Sequence, residues 1–435
     1  MSLITSQKNF RFRNWAGNQQ SAVPHYYQPE TEEQLTDIIK THGKVRMMGT
    51  GHSWSALCHT DEALINLDKY NKVISLDKEK KQLTIQAGIK LWQISDYLDT
   101  QGMALINLGS ISRQSVAGAI STATHGSGIG YRVLASQVQR FTLIRADGDK
   151  IVLDKDGDKE TFDLAIINLG ALGVISELTL NITEAFRLHE QTVAIDFDEM
   201  LARLDELLQT TDHFKMWWFP HVSRIVLYRY QRTQAAVNDS RFRQWLMDEV
   251  LSVLVYRFLV FIGNIFRGLR PLFNKLLILS FNKPLDRIER SFKVFNVADP
   301  PIHREAEWAF DLKDAKEVLG AYRKMIDESD HKINFIQEVR FVKGDEYALS
   351  PSYRRDSIWI GCYLIGDKGW DELLADFEKL AVKYNGRPHW GKEYNIDKEY
   401  LRKQYPLLDE FQKLRSTYDP AGKFSNPMIA AILAK

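Results

Sequence analysis

From Gly109 to Gly130 nearly every side chain is small or hydroxylic, as in Ser115-Val116-Ala117-Gly118-Ala119-Ile120-Ser121-Thr122-Ala123-Thr124-His125-Gly126. Water-facing loops carry more charge than this, and packed cores carry more bulk. Such a stretch either presses two elements of the fold tightly together or lays backbone against a large planar or polyphosphate ligand, with N–H and hydroxyl donors aimed inward. Two further turns favour the ligand. Gly49-Thr50-Gly51-His52-Ser53-Trp54 follows the apolar run Val45 to Met48, which reads as a buried strand, and Leu169-Gly170-Ala171-Leu172-Gly173-Val174-Ile175 precedes another strand. Glycine permits close backbone approach, and successive N–H groups in such turns make a concavity suited to a pyrophosphate. On the hexapeptide alone, His52 reads as a surface histidine beside a glycine turn.

Three glycine-rich turns in the first part of the chain point to a nucleotide-containing cofactor. None is a Gly-x-Gly-x-x-Gly opening a helix after a first strand, and no Gly-Lys-Ser/Thr triplet exists, so neither a Rossmann site nor a P-loop fits. A flavin site of another fold satisfies the remaining facts. The formal net charge of +1 over 435 residues gives no field for nucleic acid. Cys58 and Cys362 stand too far apart in sequence for a disulfide framework or a cysteine metal site, and no His/Asp/Glu cluster has metal spacing. The two cysteines and a polar Met1 to Arg13 lead us to expect a cytoplasmic protein.

Along the chain, Thr31 and Gln34 have capping-box spacing ahead of the apolar face Leu35, Ile38 and Ile39, and Gly43 stops that helix before Val45. Leu83 to Gly88 alternates as a half-buried strand, Leu91 to Leu98 makes a second helical face, and Asp147-Gly148 marks a hairpin. Beyond about Phe186 glycine thins and aromatics rise, starting a β-rich part with strands at Ile225 to Tyr230, Phe335 to Phe341 and Ser357 to Leu364. Helices are expected at Glu305 to Leu319 and Leu373 to Tyr384. The boundaries follow as 1–185, 186–385 and 386–435. Within the second part, 241–293 is basic and apolar: Leu251 to Phe266, ringed by Arg241, Arg243, Arg267, Arg270, Lys275, Lys283, Arg287 and Arg290. It is short of the ~20 residues that span a bilayer. A seat on the inner face of a membrane and a pair of amphipathic helices packed on their own domain are both open.

Glu338-Val339-Arg340 places an acid and a base on one face of a strand. They read as an ion-pair member or as the charged floor of a pocket, with the arginine set to stabilise developing negative charge. Lys392, in Arg387-Pro388-His389-Trp390-Gly391-Lys392, is equally a solvated lysine or a site group, and His125 and His389 are core, capping or site histidines.

Taken together, Gly51-His52-Ser53, Ser115-Val116-Ala117-Gly118, Thr124-His125-Gly126, Leu169 to Gly173, Glu338-Val339-Arg340, Arg355-Asp356 and Arg387 to Lys392 resemble the sugar-lactone oxidase branch of the vanillyl-alcohol-oxidase-type flavoproteins. The resemblance runs from Asn14-Trp15-Ala16 to Phe424-Ser425-Asn426. It implies an α+β fold: a PCMH-type FAD-binding domain of two subdomains, an antiparallel-sheet cap, and a C-terminal return to the FAD domain. It implies FAD bonded covalently through His52, with Gly49, Thr50, Gly51, Ser53, Gly109, Ser110, Ser112, Ser115, Ala117, Gly118, Thr122, His125, Gly126, Gly173, Val174, Ile175 and Lys392 around the cofactor. Ser110, Glu338, Arg340 and Lys392 match the polar groups about the substrate, with no general base assigned. The implied reaction is oxidation of an aldono-1,4-lactone at C2 with O₂ reduced to H₂O₂. The alternatives are a lactone dehydrogenase using a cytochrome or quinone and an alditol oxidase. Gly109 occupies the branch's oxygen gate and favours O₂. Gly361 and Tyr363 replace the histidine and threonine of alditol oxidases, and with Trp218-Phe219-Pro220-His221 favour lactones. An apolar stretch like Leu251 to Phe266 also occurs in membrane-associated members.

Overall fold

The computed structural model describes residues 6–238, 256–282, 284–297 and 300–433. Thr31 caps the Glu32–Thr41 helix by accepting from Gln34 N–H, while Gln34 Oε1 accepts from Glu30 N–H at 2.8 Å. The helix lays Leu35, Ile38 and Ile39 on a four-stranded mixed sheet, in which Ala63–Asn66 runs parallel to both Gln20–Tyr27 and Val45–Met48, and Gln7–Arg13 closes the edge. A second, antiparallel sheet has the order Val73–Asp77, Gln82–Gln86, Val174–Asn181, Val138–Ile144, Lys150–Asp154. Its last two strands form the hairpin read at Asp147-Gly148, where Gly148 takes φ +84° in the turn.

Arg46 draws the N-terminal part together. Its buried guanidinium donates to the carbonyls of Leu57, Leu169, Gly170 and Phe424. Those carbonyls belong to the short helix Ala56–Cys58 after the first turn, the third glycine-rich turn and the C-terminal segment. Asn426 adds donors to Ala56, Leu57 and His59 carbonyls. Lys423 to Asn426 therefore pack against the strand that launches the Gly49 turn and the segment that follows it.

The cap is an eight-stranded antiparallel sheet with the order Leu285–Arg290, Arg187–Asp196, Arg224–Thr233, His213–Trp218, Gln337–Val342, Ser357–Leu364, Arg304–Asp311, Arg387–Pro388. One face packs Met216, Trp218, Trp308, Phe310, Val339 and Ile360 against the helices Phe197–Thr210, Ala315–Glu328 and Trp370–Lys383. Every residue of Gln337–Val342 and Ser357–Leu364 is buried, so the opposite face is enclosed too, although it carries charge. A buried charge is tolerated only when paired and hydrogen-bonded, and that requirement organises the site.

One expected element is wrong. Glu305 to Leu319 is not a helix: Arg304–Asp311 is a strand, and the helix begins at Ala315. Arg-Glu-Ala-Glu-Trp-Ala is built from good helix formers, but the sheet has a vacant position between Ser357–Leu364 and Arg387–Pro388. Burying Ala306, Trp308 and Phe310 there outweighs the local preference.

Of the basic, apolar segment, Arg241, Arg243, Leu251 to Val255 and Lys283 lie outside the described residues. Of the rest, Leu285–Arg290, with Arg287 and Arg290, is the edge strand of the cap sheet, while Tyr256–Ile265 and Arg270–Leu279 are helices. Asn274 Nδ2 ties the second to the Pro220 and Ile333 carbonyls, and Arg270 donates to Gly263 and Lys332 carbonyls. Phe258, Phe261, Ile265, Phe266, Leu272 and Leu279 remain more than half exposed. Among the described residues no helix is long and apolar enough to cross a membrane.

Candidate active site

A cleft opens between the two sheets of the N-terminal part. Gly49, Thr50, Gly51, His52 and Ser53 line it from one side, Ser115, Ala117, Gly118 and Thr122 from another, and Gly173, Val174 and Ile175 from a third. The three turns singled out in the sequence therefore converge on one cleft. Gly51 needs its φ of +69° to turn the chain toward His52. Trp15 lies 5.6 Å from the His52 ring and in turn contacts Trp54 and His303, so the histidine loop is wedged against the cap by aromatic packing.

Gly109, Ser110, His125 and Gly126 stand apart from that cleft, at the junction with the cap. Asn296 Nδ2 donates to Gly109 O at 3.0 Å, and Val297 N–H to Ser110 O. The Ser112 carbonyl accepts from Trp92 N–H at the start of the Leu91–Thr100 helix. Asn107 Nδ2, Thr124 Oγ1 and Arg340 Nε are buried there with no hydrogen-bond partner. Donors and acceptors so placed suit the polar edge of a heterocycle, and the long small-walled cleft suits its nucleotide tail; the residues fit FAD.

The cap supplies the charged floor. Arg340 Nη2 donates to Ser110 Oγ at 2.6 Å and to Glu338 Oε2 at 2.7 Å, and Nη1 donates to His125 O at 3.2 Å. The sequence left Glu338 and Arg340 between ion pair and pocket floor; they are both, and they meet Ser110 from 230 residues away. Glu338 Oε1 accepts from Trp217 Nε1 at 2.9 Å and lies 3.3 Å from Lys215 Nζ. Burial alone would raise the Glu338 carboxyl; Arg340 and Lys215 outweigh it and hold it at about 2. Lys392 is no solvated lysine: Nζ lies 2.5 Å from Glu305 Oε2 and 4.1 Å above the Trp54 ring.

The same floor holds groups that sequence reading missed. Glu305 and Glu307 alternate on the misassigned strand, so both face the site. Glu307 Oε1 lies 3.3 Å from His125 Nε2, while His125 Nδ1 donates to Gly126 O at 2.9 Å. Against the upward push of burial, His125 holds the Glu307 carboxyl well below the usual range. With His389, these residues bring three potential metal donors within 4.8 Å of one another. His389 Nδ1, however, accepts Gly391 N–H at 3.0 Å, which puts its own proton on Nε2, and burial lowers the ring to about 3. A ring so committed is a donor rather than a ligand. Lys215 and Trp217, like Glu338 and Arg340, are two residues apart on a strand; that alternation was the available signal. Tyr363 lies over Gly361, where a Cβ would stand 2.5 Å from its hydroxyl, and its ring packs on His303 and Phe335.

The class of protein follows from the cleft, the cap and the match of residues 23–154 to the FAD binding domain family: the chain is a FAD-linked oxidoreductase. Residues 178–432 match the family model for D-arabinono-1,4-lactone oxidase. The chain is 31% identical over 427 residues to L-gulonolactone oxidase of Scyliorhinus torazame, covering 96% of this chain and 97% of that one. It is 28% identical over 424 residues to L-gulono-1,4-lactone dehydrogenase of Mycobacterium tuberculosis, covering 97% and 98%. Among solved structures, cholesterol oxidase from B. sterolicum superposes with a TM-score of 0.84 over 99% of this chain and 97% of its own, at 16% identity, which speaks to the fold alone. The chain belongs to the D-arabinono-1,4-lactone oxidase family.

Proposed function

We propose that this protein oxidises an aldono-1,4-lactone at C2 and passes the electrons to O₂, forming H₂O₂. The reading is carried by the row Ser110–Arg340–Glu338, which sets a hydroxyl, a guanidinium and a carboxylate side by side where the FAD-binding part meets the cap. FAD supplies the hydride acceptor at N5. The protein's own groups bind and polarise the substrate: Glu338 and Ser110 hold its hydroxyls, and Arg340 and Lys392 stabilise negative charge as the C2 hydroxyl gives up its proton. Tyr363 over Gly361 narrows the pocket toward a ring and away from an extended polyol. The test is anaerobic bleaching of the flavin by L-gulono-, L-galactono- and D-arabinono-1,4-lactones beside xylitol. Bleaching by a lactone is expected; bleaching by xylitol alone, or by none of the four, refutes the reading.

Three finer points belong to the same proposal. FAD is bonded through His52, so acid precipitation leaves a yellow pellet, and a colourless one refutes the bond. Oxygen is the acceptor, supported by Gly109: a Cβ there would approach His125 O to 3.1 Å and Thr124 Cγ2 to 3.6 Å. Gly109→Ala should therefore slow reoxidation in air while sparing reduction by lactone; unchanged reoxidation refutes the gate. The exposed face of Phe258, Phe261, Ile265, Phe266, Leu272 and Leu279, with Arg267 and Lys275, suits the surface of an anionic membrane. Failure to sediment with anionic vesicles at low salt would remove that part.

A further inference from the structure

The helices Tyr256–Ile265 and Arg270–Leu279 turn an apolar face outward, and a polar frame fixes what their inward face meets. Asn264 Oδ1 accepts from Arg270 Nη2 and from Asn334 Nδ2, both at 2.8 Å. Asn334 in turn bonds the Ile365 backbone twice, Nδ2 donating to the carbonyl and Oδ1 accepting from the N–H, each at 3.0 Å. From the second helix, Asn274 Nδ2 donates to the Ile333 carbonyl at 3.1 Å. The pair is thus tied to the segment that leads into Gln337–Val342 and to the end of Ser357–Leu364, the strands that carry Glu338 and Tyr363.

Between those ties the contact is apolar. Val260 is buried with Phe335, Tyr363 and Ile365 in a small core separate from the main ones. Phe335 meets Tyr363 edge-on, with 5.7 Å between centroids and 85° between planes, and His303 packs on both rings at 5.0 and 5.4 Å. Tyr363 also belongs to the charged floor. Gly361 pairs with Glu338 across one ladder and Tyr363 with Glu305 across the next, and residues two apart on a strand share a face. The Tyr363 hydroxyl lies over Gly361, in the place a side chain at 361 would take. With glycine beneath it, the ring takes its direction from the groups behind it: Phe335, His303 and, from the outer helix, Val260.

We propose that the helix Tyr256–Ile265 is the outer wall of the substrate pocket and that Val260 is a positioning residue for selectivity: with Phe335 it holds the Tyr363 ring over Gly361 and keeps the floor closed to an extended polyol. The proposal rests on the lactone reading above. Phe258, Phe261 and Ile265 face outward on the same helix, so one element carries an exposed apolar surface on one side and a wall of the site on the other. Trimming Val260 leaves a void into which Phe335 and Tyr363 relax. Space of that size in a substrate pocket is worth ~10–200-fold in discrimination.

The test measures kcat and KM for L-gulono-1,4-lactone and xylitol in the FAD-loaded protein and in Val260→Ala, Val260→Ile, Tyr363→Ala and the double variant V260A/Y363A. V260A should raise KM for the lactone and lower the lactone-to-xylitol ratio of kcat/KM by ~10-fold or more, with kcat for the lactone within about 3-fold of wild type. V260I still fills the space behind the ring and should keep the ratio. Added to Y363A, V260A should change the ratio by less than about 2-fold, because the ring it acts through is gone. A ratio in V260A within about 2-fold of wild type, a loss in V260I as large as in V260A, or an undiminished effect of V260A on top of Y363A would overturn the proposal. Where V260A loses its flavin, Phe335→Leu, which trims the same contact from the other side, takes its place with the same expectations. Fluorine NMR of 3-fluorotyrosine-labelled protein, with the Tyr363 resonance assigned from Tyr363→Phe, reads the ring without turnover. V260A should shift or broaden that resonance and V260I should not; an unmoved resonance in V260A overturns the positioning role. Should neither lactone nor xylitol bleach the flavin, the lactone reading falls and the fluorine resonance alone decides whether Val260 holds Tyr363.

Discussion

Replacing Glu338 by Gln changes no volume and removes one charge, and its cost can be worked from the structure. The carboxyl ordinarily ionises at 4.5 and is held at about 2 in the fold by Arg340 and Lys215 against the penalty of burial. A folded value below the unfolded one means stability present above 4.5 and lost as pH falls through about 2, worth about 3 kcal/mol at neutral pH. Breaking a buried pair by removing one partner costs ~3–5 kcal/mol, because the other charge stays behind. Glutamine must also turn its NH₂ toward either Trp217 Nε1 or Arg340 Nη2, both donors. Thermal and urea unfolding at pH 7 should therefore show a loss of about 3 kcal/mol, a fall of ~6–12 °C for a unit of the cap's size. Glu338→Gln with Arg340→Met should regain more than half of it, since the stranded charge goes with its partner. A single variant within ~0.5 kcal/mol of wild type, or a double variant that loses the sum of the two single losses, would refute the reasoning.

Gly126→Ala places a Cβ 2.5 Å from Leu108 O and from Asn107 Oδ1, so it should cost ~1–3 kcal/mol and weaken flavin retention; a stable, fully loaded variant would count against the tight junction. Asp345 is pushed by burial from 3.8 up to about 7 despite Ser350 Oγ and Tyr347 N–H. Its folded value exceeds the unfolded one, so wild type should lose stability relative to Asp345→Asn as pH rises from 4 to 7, and a pH-independent difference in melting temperature would contradict this.

Periodicity and turn chemistry are local properties, and they carried much of the result. Glycine turns at Gly49 and Leu169, the small-residue run between them, the Thr31 cap, the Asp147-Gly148 hairpin and the shared face of Glu338 and Arg340 all depend on neighbours within a few positions. The resemblance they support held at the level of family, fold and FAD. Pairing is not local. Nothing near Ser110 announces Arg340, and nothing near Lys392 announces Glu305; each contact exists because strands far apart in sequence adopt one register in the cap sheet. The strand at Arg304–Asp311 shows the limit most plainly, since its helix-forming composition yields to a vacant sheet position, and with it two buried carboxylates enter the site unannounced. Lys215 is legible only as a lysine in an aromatic strand. That it shares one carboxylate with an arginine, out of reach of water, is decided by burial, and burial is a property of the whole fold.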